Sequence, residues 1–320
     1  MSTVLLTGAT GLIGSNVAEQ LADRGDRVRA LVRPGSDARG LEALGVSVLR
    51  GDVRDAASVR RAAEGCQFAI HSAAVLGGPV QERTEHKAVN VRGTAHVLDA
   101  AGDLGLECVV ALSTTTFFEV AGEPLRENSP LDPSPSSDPY TQTKRAAFLD
   151  AMRRVGEGQD VRIVVSGGAF GSSPLPERSM AVPSFNQRAA AAIEGELGES
   201  VDFPVPWVFA ADVARAAVRA LDRGAAGERY LAFGRPEDVA SIPDFCNRAC
   251  EIAGSPHRVR AVTSESLDDP ETAARFGPSL AALVRKRFPE PFFDSGSTTA
   301  RFRSTRPCAA PSPGCGSTVY

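Results

Sequence analysis

The sequence predicts an α/β fold, a doubly wound parallel sheet with a smaller C-terminal lobe interleaved with it. Three observations carry this. Short apolar, β-branched runs alternate with helix-period stretches for the first two hundred or so residues, the pattern of successive right-handed βαβ units. The first run leads directly into Thr7-Gly8-Ala9-Thr10-Gly11-Leu12-Ile13-Gly14, and a helical pattern opens on its far side. The length, 320 residues, suits one large α/β unit with an added lobe.

Taken in order, strands are expected at Val4–Thr7, Val28–Val32, Val46–Arg50, Phe68–His71, Cys108–Leu112 and Val161–Val165, with helices between them. Val4, Leu5 and Leu6 read as a strand buried on both faces, while Ile13, Val17 and Leu21 recur at helical spacing after the glycines. Gly8 allows the tight turn, Gly11 lets backbone approach a pyrophosphate, and Gly14 lets the helix pack on the sheet. The free amides of the helix start, from Thr10 through Leu12, Ile13 and Gly14, then hold the phosphates with help from the helix dipole. Residues 1–166 are therefore expected to form a dinucleotide-binding domain. Beyond Gly167, prolines at 174, 176, 183, 204 and 206 break the rhythm. Residues 167–202 and 223–293 are assigned to a substrate lobe, and 203–222, which includes the strongly periodic Ala211–Leu221, to a segment packing back on the sheet. Residues 294–320, rich in Ser, Thr, Pro and Arg, read as an irregular tail.

Composition narrows the partners. A net charge of -4 provides no basic field for nucleic acid or an anionic membrane, so a small molecule is expected. No apolar run approaches a membrane span and the first residues enter a strand at once, which points to the cytoplasm. Cys66, Cys108, Cys246, Cys250, Cys308 and Cys315 lack the short paired spacings of a metal site and read as free thiols, and no metal is expected.

The cofactor is read from the ends of the second and third strands. A carboxylate after the second strand receives the adenine ribose hydroxyls, whereas an arginine accommodates an additional phosphate. That position holds Arg33, no Asp or Glu lies between Val28 and Gly35, and Arg29 and Arg39 add charge, so NADP(H) is expected over NAD(H). Asp52, with Val53 beside it, follows the third strand and can accept a hydrogen bond from the adenine amino group; Asp55 caps the next helix.

Tyr140 and Lys144 stand four apart at the start of a helix that follows Pro133, Pro135 and Pro139, so they share a face. An ammonium near a phenol lowers its pKa from about 10 towards the working range. Tyr140 can then give a proton to a carbonyl oxygen or take one from an alcohol.

The glycine turn, GDVRD at 51–55, HSAA at 71–74, NVRGT at 90–94 and YTQTK at 140–144 together resemble the extended short-chain dehydrogenase/reductase family, of NAD-dependent epimerase/dehydratase type with a Rossmann domain. The resemblance spans most of the chain. Through VRALVRP at 28–34 it is greatest to reductases of the dihydroflavonol-4-reductase and 3β-hydroxysteroid dehydrogenase kind. It implies that Tyr140 is the proton donor and that Lys144 bonds the nicotinamide ribose. A Ser or Thr after the fifth strand should hold the substrate oxygen; counting along the family's run selects Thr115, with Thr114 in reserve. Ala73 and Ala74 match small residues beside the cofactor, and Asn90 a helix position supporting the active site. Gly168 and Phe170 match a segment closing over the nicotinamide, where Ser166 replaces the usual proline, and Asp212 matches a helix cap. His71 reads as a packed histidine. Phe117, Phe118, Met180, Phe185, Trp207 and Phe209 are expected to border an apolar substrate pocket.

The function implied is NADPH-dependent reduction of a ketone or aldehyde of a mostly apolar small molecule. A nucleotide-sugar epimerase or dehydratase using bound NAD is weakened by Arg33 and by Thr116, Phe117 and Phe118 after Thr115, where dehydratases carry an Asp-Glu pair; a non-catalytic NADP-binding sensor has no use for Tyr140 and Lys144. A helix-paired homodimer is common in the resembled family. The family's chains finish with a short helix, and RPCAAPSPGCGSTVY departs from that as an altered reading frame near residue 300 would.

Overall fold

The computed structural model describes residues 1–76, 83–120, 122–180, 183–275, 284–286 and 288–294, so the expected tail lies, from residue 295 on, outside the described residues. The first half alternates as expected: β1 (Thr3–Thr7), α1 (Leu12–Asp23), β2 (Arg27–Val32), α2 (Arg39–Ala43), β3 (Ser47–Arg50), α3 (Ala56–Ala63) and β4 (Phe68–His71). Next come α4 (Arg83–His86), a wide π-helical stretch at Lys87–Gly93, α5 (Thr94–Leu104), β5 (Cys108–Thr114), α6 (Pro139–Gly156) and β6 (Val161–Ser166).

The remainder is β7 (Gly168–Phe170), α7 (Pro176–Ser179), α8 (Phe185–Ile193), β8 (Glu199–Val201), β9 (Val205–Phe209), α9 (Ala210–Arg223), β10 (Arg229–Ala232), β11 (Val239–Ala240), α10 (Ile242–Ala253) and β12 (Arg260–Val262). Seven parallel strands form the main sheet in the order β10-β6-β5-β4-β1-β2-β3. The chain leaves β1 towards β2 on one side and returns to β4 on the other, which opens a crevice at the carboxyl ends of β1 and β4.

The period-2 alternation of β1 divides the core. Val4 and Leu6 face α1 and α9 with Val17, Leu21, Val213 and Ala217, while Leu5 faces the opposite layer with Val59, Leu98, Phe148 and Ile163. All of these are buried, and each fully enclosed Leu contributes on the order of 2 kcal/mol of transfer free energy.

Two expectations are corrected here. Residues 229–232, assigned from sequence to the lobe, form β10 on the edge of the main sheet beside β6. Asp212 does not cap α9: no side chain caps that helix, and Asp212 pairs with Arg215. By contrast Asp55 caps α3 through the Ala57 amide, and Asp138 caps α6 through the Thr141 amide at 2.9 Å with Pro139 at the first helical position. The lobe proper is built on a three-stranded sheet, β11-β9-β7, and a two-stranded one, β12-β8. Cys66, Cys108, Cys246 and Cys250 are free and buried. No helix among the described residues is long and apolar enough to cross a membrane.

Candidate active site

The glycine turn is closed up by backbone, its own and that of the segment after β4. Gly8 has φ 74°, and a Cβ there would stand 2.6 Å from the Ala73 nitrogen; a Cβ on Gly14 would stand 2.1 Å from the Gly8 carbonyl oxygen. No side chain caps α1 and no acidic residue occupies its first turn, so its amino-terminal dipole faces the crevice uncompensated. This donor set fits an anionic diphosphate. Gly8, Thr10 and Gly11 line the crevice together with Arg33, Asp52, Val53, Ala73 and Ala74. Leu12, Ile13 and Gly14 form the first turn of α1 behind them.

Arg33 stands at the end of β2, and the turn carrying it is fixed by Arg50, whose Nη1 donates to the carbonyls of Ser36 at 2.6 Å and Arg33 at 3.3 Å. Asp52 is less free than its sequence position suggests. The Arg54 guanidinium grips both of its carboxylate oxygens, at 3.0 and 2.7 Å, and the Arg54 amide donates to it at 2.9 Å; these bonds hold its pKa below the usual carboxylate range against the opposing effect of burial. Any further donor must share this carboxylate with Arg54.

At the other end, the Tyr140 hydroxyl lies beside the side chain of Thr114, the last residue of β5. Thr115, the residue selected from sequence, lies one position further on, where its carbonyl accepts the Phe118 amide in a turn. The strand register explains the shift: Thr114 pairs with Ser166 at the end of the sheet, and chain direction changes immediately after it. Burial pushes the Tyr140 phenol up to about 12, with the Thr114 hydroxyl pulling it down and Asp138 adding to the rise. The expected depression by Lys144 is not realised in this arrangement. Lys144 Nζ donates to the Leu112 carbonyl at 2.6 Å, and burial lowers its pKa to about 8.

Asn90 reaches no open space. Its Oδ1 accepts the Val75 amide at 2.8 Å, and its Nδ2 donates to the Val75 carbonyl at 3.0 Å and to Thr143 Oγ1 at 3.1 Å. Both amide hydrogens are spent, so the residue expected among the catalytic groups is a brace tying the crevice wall after β4 to the Tyr140 helix. Gly93, three residues on, lets the same stretch lie against the turn after β3: a Cβ there would meet Val53 Cγ2 at 2.9 Å.

His71 sits at the centre of a second brace. Thr94 gives its hydroxyl hydrogen to the Asn90 carbonyl at 2.7 Å, so its oxygen accepts from His71 Nε2 at 2.9 Å; His71 Nδ1 then accepts from Thr7 Oγ1 at 2.7 Å. The ring is buried and neutral, its pKa lowered to about 3 by burial first and by the Lys144 charge second. This agrees with its reading as a packed histidine.

Three further expectations are corrected. Gly168 is required by packing, since a Cβ there would stand 2.6 Å from Val205 and 2.9 Å from Trp207, and both Gly168 and Phe170 belong to β7 of the three-stranded lobe sheet. Phe117 and Phe118 are buried core residues packed with Phe148 at ring distances of 5.4 and 5.7 Å. Phe185 and Trp207 pack in the lobe core, where Trp207 stacks on Phe245 at 4.0 Å. Of the aromatic and sulfur side chains expected at a pocket, Phe209 and Met180 are exposed, at 55% and 47%. Sequence reasoning missed Arg54, for which the Asp-x-Arg spacing of an Asx turn was an available signal, and Arg178, which lines the crevice from the lobe with no local signal at all.

A model of the NAD dependent epimerase/dehydratase family matches residues 4–232. The chain belongs to that family. Sterol demethylase protein B of Methylococcus capsulatus is 32% identical over 258 residues, covering 79% of this chain and 75% of that protein. A Stigmatella aurantiaca enzyme, 4-hydroxy-2-methyl-3-oxo-4-farnesyl-3,4-dihydroquinoline-1-oxide ketoreductase, is 28% identical over 284 residues, 87% of this chain and 81% of the relative. The solved UDP-glucose 4-epimerase of Thermus thermophilus, in complex with NAD, superposes with a TM-score of 0.65 at 26% identity, over 81% of this chain and 85% of that one. This family membership makes the chain an extended short-chain dehydrogenase/reductase, with reductases among its relatives and nicotinamide dinucleotides as the cofactor class.

Proposed function

We propose that the chain is an NADP(H)-dependent oxidoreductase that reduces the ketone or aldehyde of a mostly apolar small molecule to an alcohol. The placement of Tyr140 beside Thr114, with its helix held on the carboxyl edge of the sheet by the Lys144–Leu112 hydrogen bond, carries the reading. In this reading Thr114 Oγ1 orients the substrate oxygen and Tyr140 Oη supplies the proton that completes the hydroxyl, while Asn90, through Thr143 and Val75, keeps their helix against the crevice wall. The cofactor would be held by the glycine turn and α1, by Arg33 at its additional phosphate, and by Val53, Ala73 and Ala74 along the wall; when bound it supplies the hydride. Lys144, buried beneath Tyr140 and one hydrogen bond from β5, is placed to exchange its Leu112 contact for a ribose hydroxyl.

Arg33, with no carboxylate between Val28 and Gly35, supports NADP(H). An apolar substrate is supported by Phe209 and Met180: Phe209 lies 4.6 Å from the Phe170 ring, and Asn186 draws the carbonyls of Gly171 and Ser179 together beside them. The ketoreductase relative is in keeping with this chemistry.

The test is a panel of carbonyl substrates followed at the NADPH absorbance band, with Tyr140→Phe as the control. Tyr140→Phe is expected to lower turnover by about 10²–10⁴-fold. Undiminished turnover in that variant overturns the assignment of the acid, and interconversion of nucleotide-sugar epimers without net NADPH consumption overturns the reductase reading.

A further inference from the structure

A segment of the lobe is fastened to the first turns of α1, directly above the glycine turn. Ser173 Oγ and Ser15 Oγ lie 2.8 Å apart, and Asn16 Nδ2 donates to the Ser172 carbonyl at 3.0 Å. Leu175 is buried on Gly40, where a Cβ would stand 2.3 Å from its Cδ2. From this anchored segment Arg178, in α7, reaches back across the crevice mouth. Its Nε donates to the Thr10 carbonyl at 2.7 Å, inside the turn itself.

That bond fixes the guanidinium plane and occupies only one of its donors. No carboxylate pairs with Arg178 among the described residues; the neighbouring Glu177 acts on Arg39. The other cations lining the crevice, Arg33 and Arg54, belong to the far end, after β2 and β3, and Arg54 is already gripped by Asp52. The glycine turn thus has backbone donors and a helix dipole, and Arg178 is the side-chain cation standing over it.

We propose that Arg178 binds the diphosphate of the dinucleotide, so that the lobe carrying the substrate side is pinned to the cradle when the cofactor arrives. The planar fork suits two phosphate oxygens, and a charge-assisted bond of this kind is worth about tenfold or more in affinity. The inference rests on the crevice holding a nicotinamide dinucleotide, the reading given above.

Three ligands separate the possibilities when titrated calorimetrically: NADPH; ADP, which keeps the diphosphate; and adenosine 2′-monophosphate, which lacks it. Arg178→Met retains the apolar stem of the side chain and is expected to weaken NADPH and ADP by about tenfold or more while leaving adenosine 2′-monophosphate unchanged, with Arg178→Lys intermediate. An unchanged affinity for ADP overturns the proposal, and so does an equal loss for all three ligands, which marks a merely structural residue. Wild-type protein that binds none of the three overturns the dinucleotide reading itself. Wild-type protein that binds NADPH but is indifferent to the Arg178 substitutions overturns this inference alone.

Discussion

Mild acid should destabilise this protein through one buried ring. His71 is held between two hydroxyls, accepting from Thr7 and donating to Thr94, and both of its nitrogens are satisfied only in the neutral form. Burial lowers its pKa to about 3, with the Lys144 charge acting in the same direction. In the unfolded chain the ring titrates near the ordinary value of about 6.5. Between these values the unfolded state binds a proton that the folded state refuses, so stability rises with pH across the window and is lost as pH falls. The slope approaches about 1.4 kcal/mol per pH unit for one proton, which gives about 2 kcal/mol between pH 6.5 and 5. The assay is urea unfolding of wild type and His71→Asn over pH 5–8. The substitution costs stability at every pH by opening the brace, so the informative quantity is the difference in slope. Carboxylates such as Asp52 and Asp150, whose pKa values are held low by arginines, lose their contribution in the same direction at lower pH, but equally in both proteins. Wild type should lose about 2 kcal/mol more than the variant between pH 6.5 and 5. Parallel stability curves would refute a neutral buried His71.

Two substitutions at the site separate neighbouring candidates. Thr114→Val should lower kcat/KM for a carbonyl substrate by about 10²-fold, the scale of a lost donor to the reacting oxygen, and Thr115→Val should have little effect; the reverse order in steady-state kinetics would return the role to Thr115. Arg33→Ala should raise KM for NADPH about tenfold or more and leave that for NADH unaltered; an unchanged ratio of the two constants would remove Arg33 from the recognition of the additional phosphate.

Much of the fold is legible locally because its signals have short range. The glycine turn announces itself by lying between a strand of Val4, Leu5 and Leu6 and a helix with Val17 and Leu21 at helical spacing, and these residues pack as that pattern requires. The start of α6 is equally local, since Asp138 and Pro139 cap and open it within one turn of Tyr140. Gly168 is harder to read. Its motif points to the cofactor, but the need for glycine comes from Val205 and Trp207 on β9, which the chain reaches only after α7, α8 and β8. The edge strand β10 also escapes the pattern, because four residues after a helix carry too short a period to distinguish sheet from lobe.

The amino-acid sequence alone determined the alternating architecture, the glycine turn and the Tyr140–Lys144 helix, all of which depend on contacts within a few residues and on side-chain period. Tertiary structure alone decided that Thr114 rather than Thr115 meets Tyr140, that Asn90 spends its amide on Val75 and Thr143, and that Arg178 stands over the glycine turn 168 residues before it in the chain. The reason is geometric. A single-residue step in strand register or a side chain arriving from a distant segment changes which groups lie within about 3 Å of one another, and no local pattern records that distance.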